Sequence, residues 1–128
     1  MGRKSSEKVL SFQKWPYTGK PVQVLSRTLI SLPATLSGLA ELTPKLTPHE
    51  LLDYWLGLGW QLIYLDGGEA ARSFLECGLV KKPTLTLIPI ILNTGKPLFG
   101  NTIPEIILKH LHIRSFALGL VQSDYEVV

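Results

Sequence analysis

Residues 66–70 read Asp66-Gly67-Gly68-Glu69-Ala70 and lie between the apolar stretch "WQLIYL" and a segment with helical spacing. Glycine weakens strands and helices alike and is costly in chain entropy. Two together at a strand-to-helix junction therefore imply that something needs the backbone bare. The chemistry this favours is anion binding. A helix start leaves N–H groups without partners, and the helix dipole places about half a positive charge there. Without Cβ atoms, Gly67 and Gly68 let a phosphate sit close to the main chain. One such terminus contributes only about 0.3–1 kcal/mol when exposed, or up to roughly 2 when partly buried, so a working site recruits several contacts. Gly2-Arg3-Lys4-Ser5 supplies a second glycine followed by two cations and a hydroxyl, and Ser26-Arg27 follows a short strand in the same way. Three such ends suit a dinucleotide better than a monophosphate. Arg3, Lys4 or Arg27 facing a 2′-phosphate favours NADP over NAD.

Plainer explanations stay open at this point. A glycine pair can serve packing alone, Arg3 and Lys4 can form a solvated face, and Ser26 can be an ordinary strand end. The strict GxGxxG fingerprint is absent, so an ordinary dinucleotide-binding site is not supported. His49, His110 and His112 lack metal-ligand spacing with acids, and no metal site is expected. There is no GxSxG elbow and no carboxylate pair suited to acid–base work. Trp15, Tyr17, Trp55 and Trp60 read as packing residues, with Trp15 or Tyr17 the candidates to border a ligand.

These residues need elements to position them. Ser5 or Ser6 can cap a short helix carrying Val9, Leu10 and Phe12. "QKWPYTGKP" reads as a loop and "VQVLS", 22–26, as a short strand. Thr47, Pro48 and Glu50 form a capping box that opens a helix striped by Leu51, Leu52, Trp55 and Leu56 and ended by Gly57 and Gly59. A strand is expected over 60–66, then a helix whose Ala71, Phe74, Leu75 and Leu79 keep the 3.6 period. "TLTLIPIIL", 84–92, reads as a buried strand with a bulge or edge at Pro89, and "NTGKPLFG", 93–100, as a turn-rich loop. Residues 112–128 form two strand pieces bending near Gly119. Strands alternating with helices predict an α/β fold with a sheet parallel at its centre and an antiparallel hairpin at the C-terminal end.

The 128 residues suffice for one domain, 1–128, with a real core. Hydrophobic residues make up 45% and charged residues 18%, a globular composition. A formal charge of +3, spread along the chain, argues against a nucleic-acid footprint and is compatible with an anionic small ligand. The one cysteine, Cys77, permits no internal disulfide, which fits a cytoplasmic location. The longest apolar run, "LIPIIL", is too short to span a bilayer, and no signal peptide is visible.

Taken in order, "MGRKSSEKVL", "VLSRTL", "YLDGGEAARSFLECGLV" and "LTLIPIILNTGKPLFG" resemble the bacterial dihydrofolate reductase-like family, which includes the reductase domain of riboflavin biosynthesis. The resemblance runs from Gly2 to about Tyr125. It implies a mostly parallel mixed sheet flanked by helices and an NADPH-dependent reductase acting on a pteridine or ribosylaminopyrimidine-like heterocycle. Gly2, Arg3, Lys4 and Ser5 match the family's Gly-Arg-Lys-Thr motif and would face the cofactor's phosphates. Ser26 and Arg27 would lie near the adenosine end, and Asp66, Gly67, Gly68, Glu69 and Ala70 would turn over the pyrophosphate. The family also implies a cis bond between Gly67 and Gly68. "PLFG", 97–100, matches a loop between late strands and would be structural.

One departure stands out. The family's early central strand, mobile loop and substrate-lining helix precede this motif, so the first strand and helix of the fold are expected to be absent. No residue here inherits the catalytic role. The flanking strands would be left with unpaired backbone groups. A homodimer, a rearranged strand or a partner would cover them, unless Met1 is internal to a longer reading frame. A catalytically inactive nucleotide-binding or oligomerising remnant is the alternative function.

Overall fold

A computed structural model describes residues 1–100 and 104–128. In chain order the elements are helix α1 (Arg3–Leu10), strands β1 (Gln23–Val24) and β2 (Glu41–Leu42), helices α2 (Pro48–Gly57) and α3 (Gly68–Glu76), and strands β3 (Thr84–Leu87), β4 (Leu108–Ser115) and β5 (Val121–Val127). Short 3-10 turns occur at Ala34–Leu36 and Ala117–Gly119.

The helices start where local chemistry dictates. Thr47 caps α2: its hydroxyl accepts from the Glu50 N–H at 3.4 Å, while its own N–H donates to Glu50 Oε2 at 2.8 Å. The Thr47 N–H and, less strongly, the Thr47 hydroxyl, which donates to Glu50 Oε2 at 2.8 Å, hold the Glu50 carboxyl below its usual range. The first helix is capped by Gly2 rather than by Ser5 or Ser6. Ser6 instead sits inside the helix, buried, with its hydroxyl donating to the Arg3 carbonyl at 2.7 Å. The third helix starts at the glycine pair and ends at Cys77 and Gly78.

The expected mostly parallel sheet is not found among the described residues. β1 and β2 form a two-stranded parallel sheet, and β3, β5 and β4 form a separate antiparallel sheet in the order β3-β5-β4. Residues 60–66, expected as a strand, join no ladder, although their exposure alternates as a strand's would: Leu62 and Tyr64 are 93% and 83% exposed, while Ile63 and Leu65 are half-buried against the core. A strand is defined by its partners as well as by its pattern, and no described residue supplies the partner here. β3 stops at Leu87 rather than running to 92. The Ile90 N–H turns back to the Ile88 carbonyl at 2.8 Å, around Pro89, which has no donor for the ladder. The C-terminal hairpin is present and begins earlier than its sequence pattern, at Leu108, with an irregularity between His110 and His112.

The core centres on Leu51, Trp55 and Phe74, with Leu25, Tyr54, Trp60, Ile63, Leu65, Leu79 and Val80 around it. The Trp55 ring lies nearly parallel to those of Phe74 and Trp60, with centroids 5.7 and 6.3 Å away. Its indole N–H donates to the Gln23 side-chain carbonyl at 2.5 Å, which ties α2 to β1 inside the core. No described helix is long and apolar enough to cross a membrane.

Candidate functional site

The starts of α1 and α3 interlock. The Gly2 N–H donates to the Asp66 carbonyl at 2.9 Å. A Cβ on Gly67 would stand 2.8 Å from Ser5 Oγ and 3.3 Å from the Gly2 nitrogen, and one on Gly2 would touch the Ala70 methyl at 3.8 Å. Gly67 has φ +102°, outside the ordinary range of residues bearing a Cβ. Its peptide bond to Gly68 is trans: no described peptide is cis, so the cis bond implied by the family resemblance is not present. The turn is made instead by the positive φ of Gly67. The bare face of Gly67 therefore admits α1, and that of Gly68 admits the Leu98 carbonyl oxygen, 3.4 Å from where its Cβ would be. Both glycines are explained by close approach of protein atoms.

The helix starts themselves remain uncapped by side chains. At α1 the Arg3 N–H goes to the Leu25 carbonyl and Ser6 to Gly2, leaving the amides of Lys4 and Ser5 at the terminus. At α3 Ala71 bonds Gly67, leaving those of Gly68, Glu69 and Ala70 without a partner among the described residues. Two helix N-termini thus present amides side by side, the arrangement in which dipole and donors act together on an anion.

The charged rim is more mixed than the sequence alone implies. Lys4 lies within hydrogen-bond reach of Lys96, and this proximity pulls the Lys96 ammonium below its ordinary pKa, with Glu69 opposing the shift. Arg27 reaches Glu69 at 3.1 Å across an exposed pair. Arg3 leans along its own helix toward Glu7 at 3.8 Å. The Ser26 hydroxyl accepts from the amides of Thr28 and Leu29 at 3.3 and 3.0 Å, so it stabilises its own turn.

Asp66 lines a groove together with Met1, Tyr17 and Tyr64. Its charge acts on the Met1 ammonium and on Tyr17, whose hydroxyl is pushed up by burial first and then by Asp66 and Tyr64. Asp66 therefore belongs to an apolar groove beside the helix starts, which suits anion binding, because a carboxylate among the free amides would repel a phosphate.

The structure brings Gly2, Ser5, Gly67, Gly68 and Ala70 into contact at the paired helix starts. Lys4, Glu69 and Arg27 stand on the rim, while Arg3, Ser26 and Asp66 are engaged elsewhere. Lys96 was not identified from sequence. Its signal is slight: a lone cation at the tip of "NTGKP" that only tertiary folding carries to Lys4. Gly100, φ +66°, closes the same loop. A Cβ there would fall 2.6 Å from an Arg72 guanidinium nitrogen. Among the described residues no cluster of His, Cys, Asp and Glu could hold a metal.

The small mixed α/β fold is shared with known proteins. A pyrimidine reductase-like protein from Corynebacterium diphtheriae has the same fold, with a TM-score of 0.61 at 20% identity over 83% of this chain and 50% of that one. A protein from Shewanella sp. PV-4, provisionally assigned to riboflavin biosynthesis, superposes on 100% of this chain and 72% of its own with a TM-score of 0.87 and 32% identity. The chain belongs to the family of that Shewanella protein. A stretch of 82 residues, 64% of the chain, is also 35% identical to the uncharacterized protein YyaP of Bacillus subtilis strain 168, of which it spans only 39%. No protein-family profile matches the chain.

Proposed function

We propose that the chain carries the cofactor-binding part of an NADPH-dependent reductase that transfers hydride to a pteridine or ribosylaminopyrimidine-like heterocycle. The observation that carries this is the interlocking of two uncapped helix starts at Gly2 and Gly67, rimmed by Lys4, Lys96 and Arg27. The residues fit a diphosphate. They offer main-chain donors from both termini and cations beyond them, while Ser5 contributes a hydroxyl against Gly67. Arg27 and the two lysines are the groups suited to a 2′-phosphate, which favours NADPH over NADH. NADPH supplies the hydride when bound. The chain's own residues bind the phosphates and orient the cofactor by its charge. The kinship with a protein assigned to riboflavin biosynthesis supports the heterocyclic substrate class.

The test is titration of NADPH by fluorescence, with inorganic pyrophosphate as competitor. Saturable binding is expected, with Lys4→Ala and Lys96→Ala each weakening it roughly threefold to tenfold. No binding at millimolar cofactor would end this reading.

A second reading, nucleotide binding without turnover, is favoured by the placement of Asp66. Asp66 acts on Met1 and Tyr17, and among the described residues the other acid beside the paired helix starts, Glu69, is held by Arg27. Oxidation of NADPH in the presence of dihydrofolate or a riboflavin precursor separates the two. A cytoplasmic homodimer completes the proposal. Its support is the single cysteine and the apolar residues that the β3–β5–β4 sheet leaves outside, among them Leu87 and Ile113 at 71% and 57% exposure. Sedimentation at micromolar concentration tests it.

A further inference from the structure

We infer that the apolar face of the β3–β5–β4 sheet docks the same face of a second copy of this chain, with Leu118 at the hairpin turn as its protruding contact. The inference rests on the homodimer proposed above and assigns its surface. The register sorts the side chains of the sheet by face, because residues directly opposite each other share a face and neighbours along a strand alternate. Thr84, Asp124 and His112 are in register, as are Thr86, Gln122 and Arg114, so these six lie on one face. Their hydrogen bonds agree. Thr84 donates to Asp124 at 2.7 Å, Gln122 to Thr86 at 3.0 Å and Arg114 to Asp124 at 2.9 Å. The alternate residues, Leu85, Leu87, Val121, Ser123, Ile113 and Ser115, form the other face and carry no charge. An antiparallel sheet of this kind ordinarily turns its apolar face onto a core. Here none of those residues joins the cluster around Leu51, Trp55 and Phe74, and Leu87 and Ile113 stay exposed.

The hairpin turn extends the surface. Leu118 has φ 68° and ψ 12° and is 90% exposed. A positive φ is uncommon for a residue bearing a Cβ, and among the described residues Leu118 is the one non-glycine that has it. A glycine would relieve the backbone, and such exposure leaves no packing reason within the chain for leucine. Strain held at an exposed apolar side chain is accounted for by a contact outside the chain. The turn is also braced. A Cβ on the adjacent Gly119 would stand 3.3 Å from Pro89 Cγ, so Leu118 is presented beside the end of β3.

Charge and size select the occupant. Residues 83–95 and 115–123 contain no charged side chain. The face therefore offers nothing to pair with a charged partner and nothing to repel its own copy. A two-fold axis brings the same patch onto itself, and two such faces pack about 10 Å apart as a sandwich. Three strands of about seven residues cover roughly 14 by 24 Å. With the turn added, each copy buries on the order of 500 Å², and the pair about 1,000 Å², the smallest area expected of a specific interface. A dimer of that size dissociates on dilution.

The test is sedimentation velocity of the chain over roughly 1–100 μM. The parent should pass from monomer to dimer across this range. Ile113→Lys should raise the dissociation constant at least about tenfold, because each association would bury two unpaired ammonium groups. Leu118→Gly should raise it about threefold or more with no fall in melting temperature, since it relieves the positive φ, and it decides the matter if Ile113→Lys does not fold. Thr86→Lys, the same change on the polar face, should leave the constant within about twofold. A parent that stays monomeric removes the homodimer and this inference together. A parent dimer unmoved by a folded Ile113→Lys or by Leu118→Gly, or weakened equally by Thr86→Lys, keeps the homodimer and overturns its assignment to this face.

Discussion

Replacing Gly67 with alanine puts a methyl group where the starts of α1 and α3 meet. Its carbon would lie 2.8 Å from Ser5 Oγ and 3.3 Å from the Gly2 nitrogen. The first neighbour is a side-chain tip, but the second is backbone held by its bond to the Asp66 carbonyl, so the crowding cannot be relieved by one rotamer change. The backbone adds its own penalty, because φ +102° with ψ 124° is a conformation of glycine. Residues forced into such regions cost about 1–3 kcal/mol, and overfilling a tight contact costs about 1–3 more. A total near 3 kcal/mol is expected, which for a chain of this size lowers the melting temperature by roughly 10 °C. The assay is thermal unfolding followed by circular dichroism for Gly67→Ala, Ser5→Ala and the double variant. Removing Ser5 Oγ should recover about 1 kcal/mol of the loss and leave the remainder. A single variant that melts within about 2 °C of the parent would refute the interlock. A cycle with no coupling would refute the Ser5 contact.

Trp55→Phe keeps a ring against Phe74 but leaves the buried Gln23 carbonyl oxygen without its donor. A loss of about 1–3 kcal/mol is expected in urea unfolding. Gly100→Ala collides with Arg72 and should displace the 93–100 loop from the Gly68 turn, weakening NADPH more than it lowers the melting temperature. The Thr47–Glu50 capping box should be sensitive to pH. The folded-state pKa of Glu50 lies below its ordinary 4.5, so the carboxylate's contribution is present above that value and lost as pH falls through the folded pKa. The difference in melting temperature between Thr47→Ala and the parent should therefore narrow on acidification below about 4.5.

What could be read from sequence depended on how far apart the cooperating residues lie. The start of α2 was legible because Thr47, Pro48 and Glu50 carry the whole signal within four positions. The glycine turn before α3 was legible for the same reason, as were the two strands of the C-terminal hairpin. Residues 60–66 show the limit. They were expected as a strand, but whether such a stretch becomes one depends on a neighbour, and pattern alone cannot supply one. The parallel sheet was overestimated on the same ground. At the candidate site the structure brings Gly2, Ser5 and the glycine pair together, yet the reason for the glycines differs. They admit Ser5, Gly2 and the Leu98 carbonyl rather than leaving the main chain open. Neither the Gln23 to Trp55 hydrogen bond, 32 positions apart, nor the approach of Lys96 to Lys4 leaves any local mark in the sequence.

The three aromatic rings in the core have a consequence of their own. The Trp60 and Phe74 planes lie 13° and 16° from that of Trp55, which both rings face. Chromophores so placed share their electronic transitions, and the two indoles should give a paired band of opposite signs in circular dichroism. Because Trp60 belongs to the irregular segment after α2, while Trp55 and Phe74 sit on two different helices, that band is an optical gauge of whether all three are in register. It should vanish at the earliest loosening of the interior, before the helical signal declines.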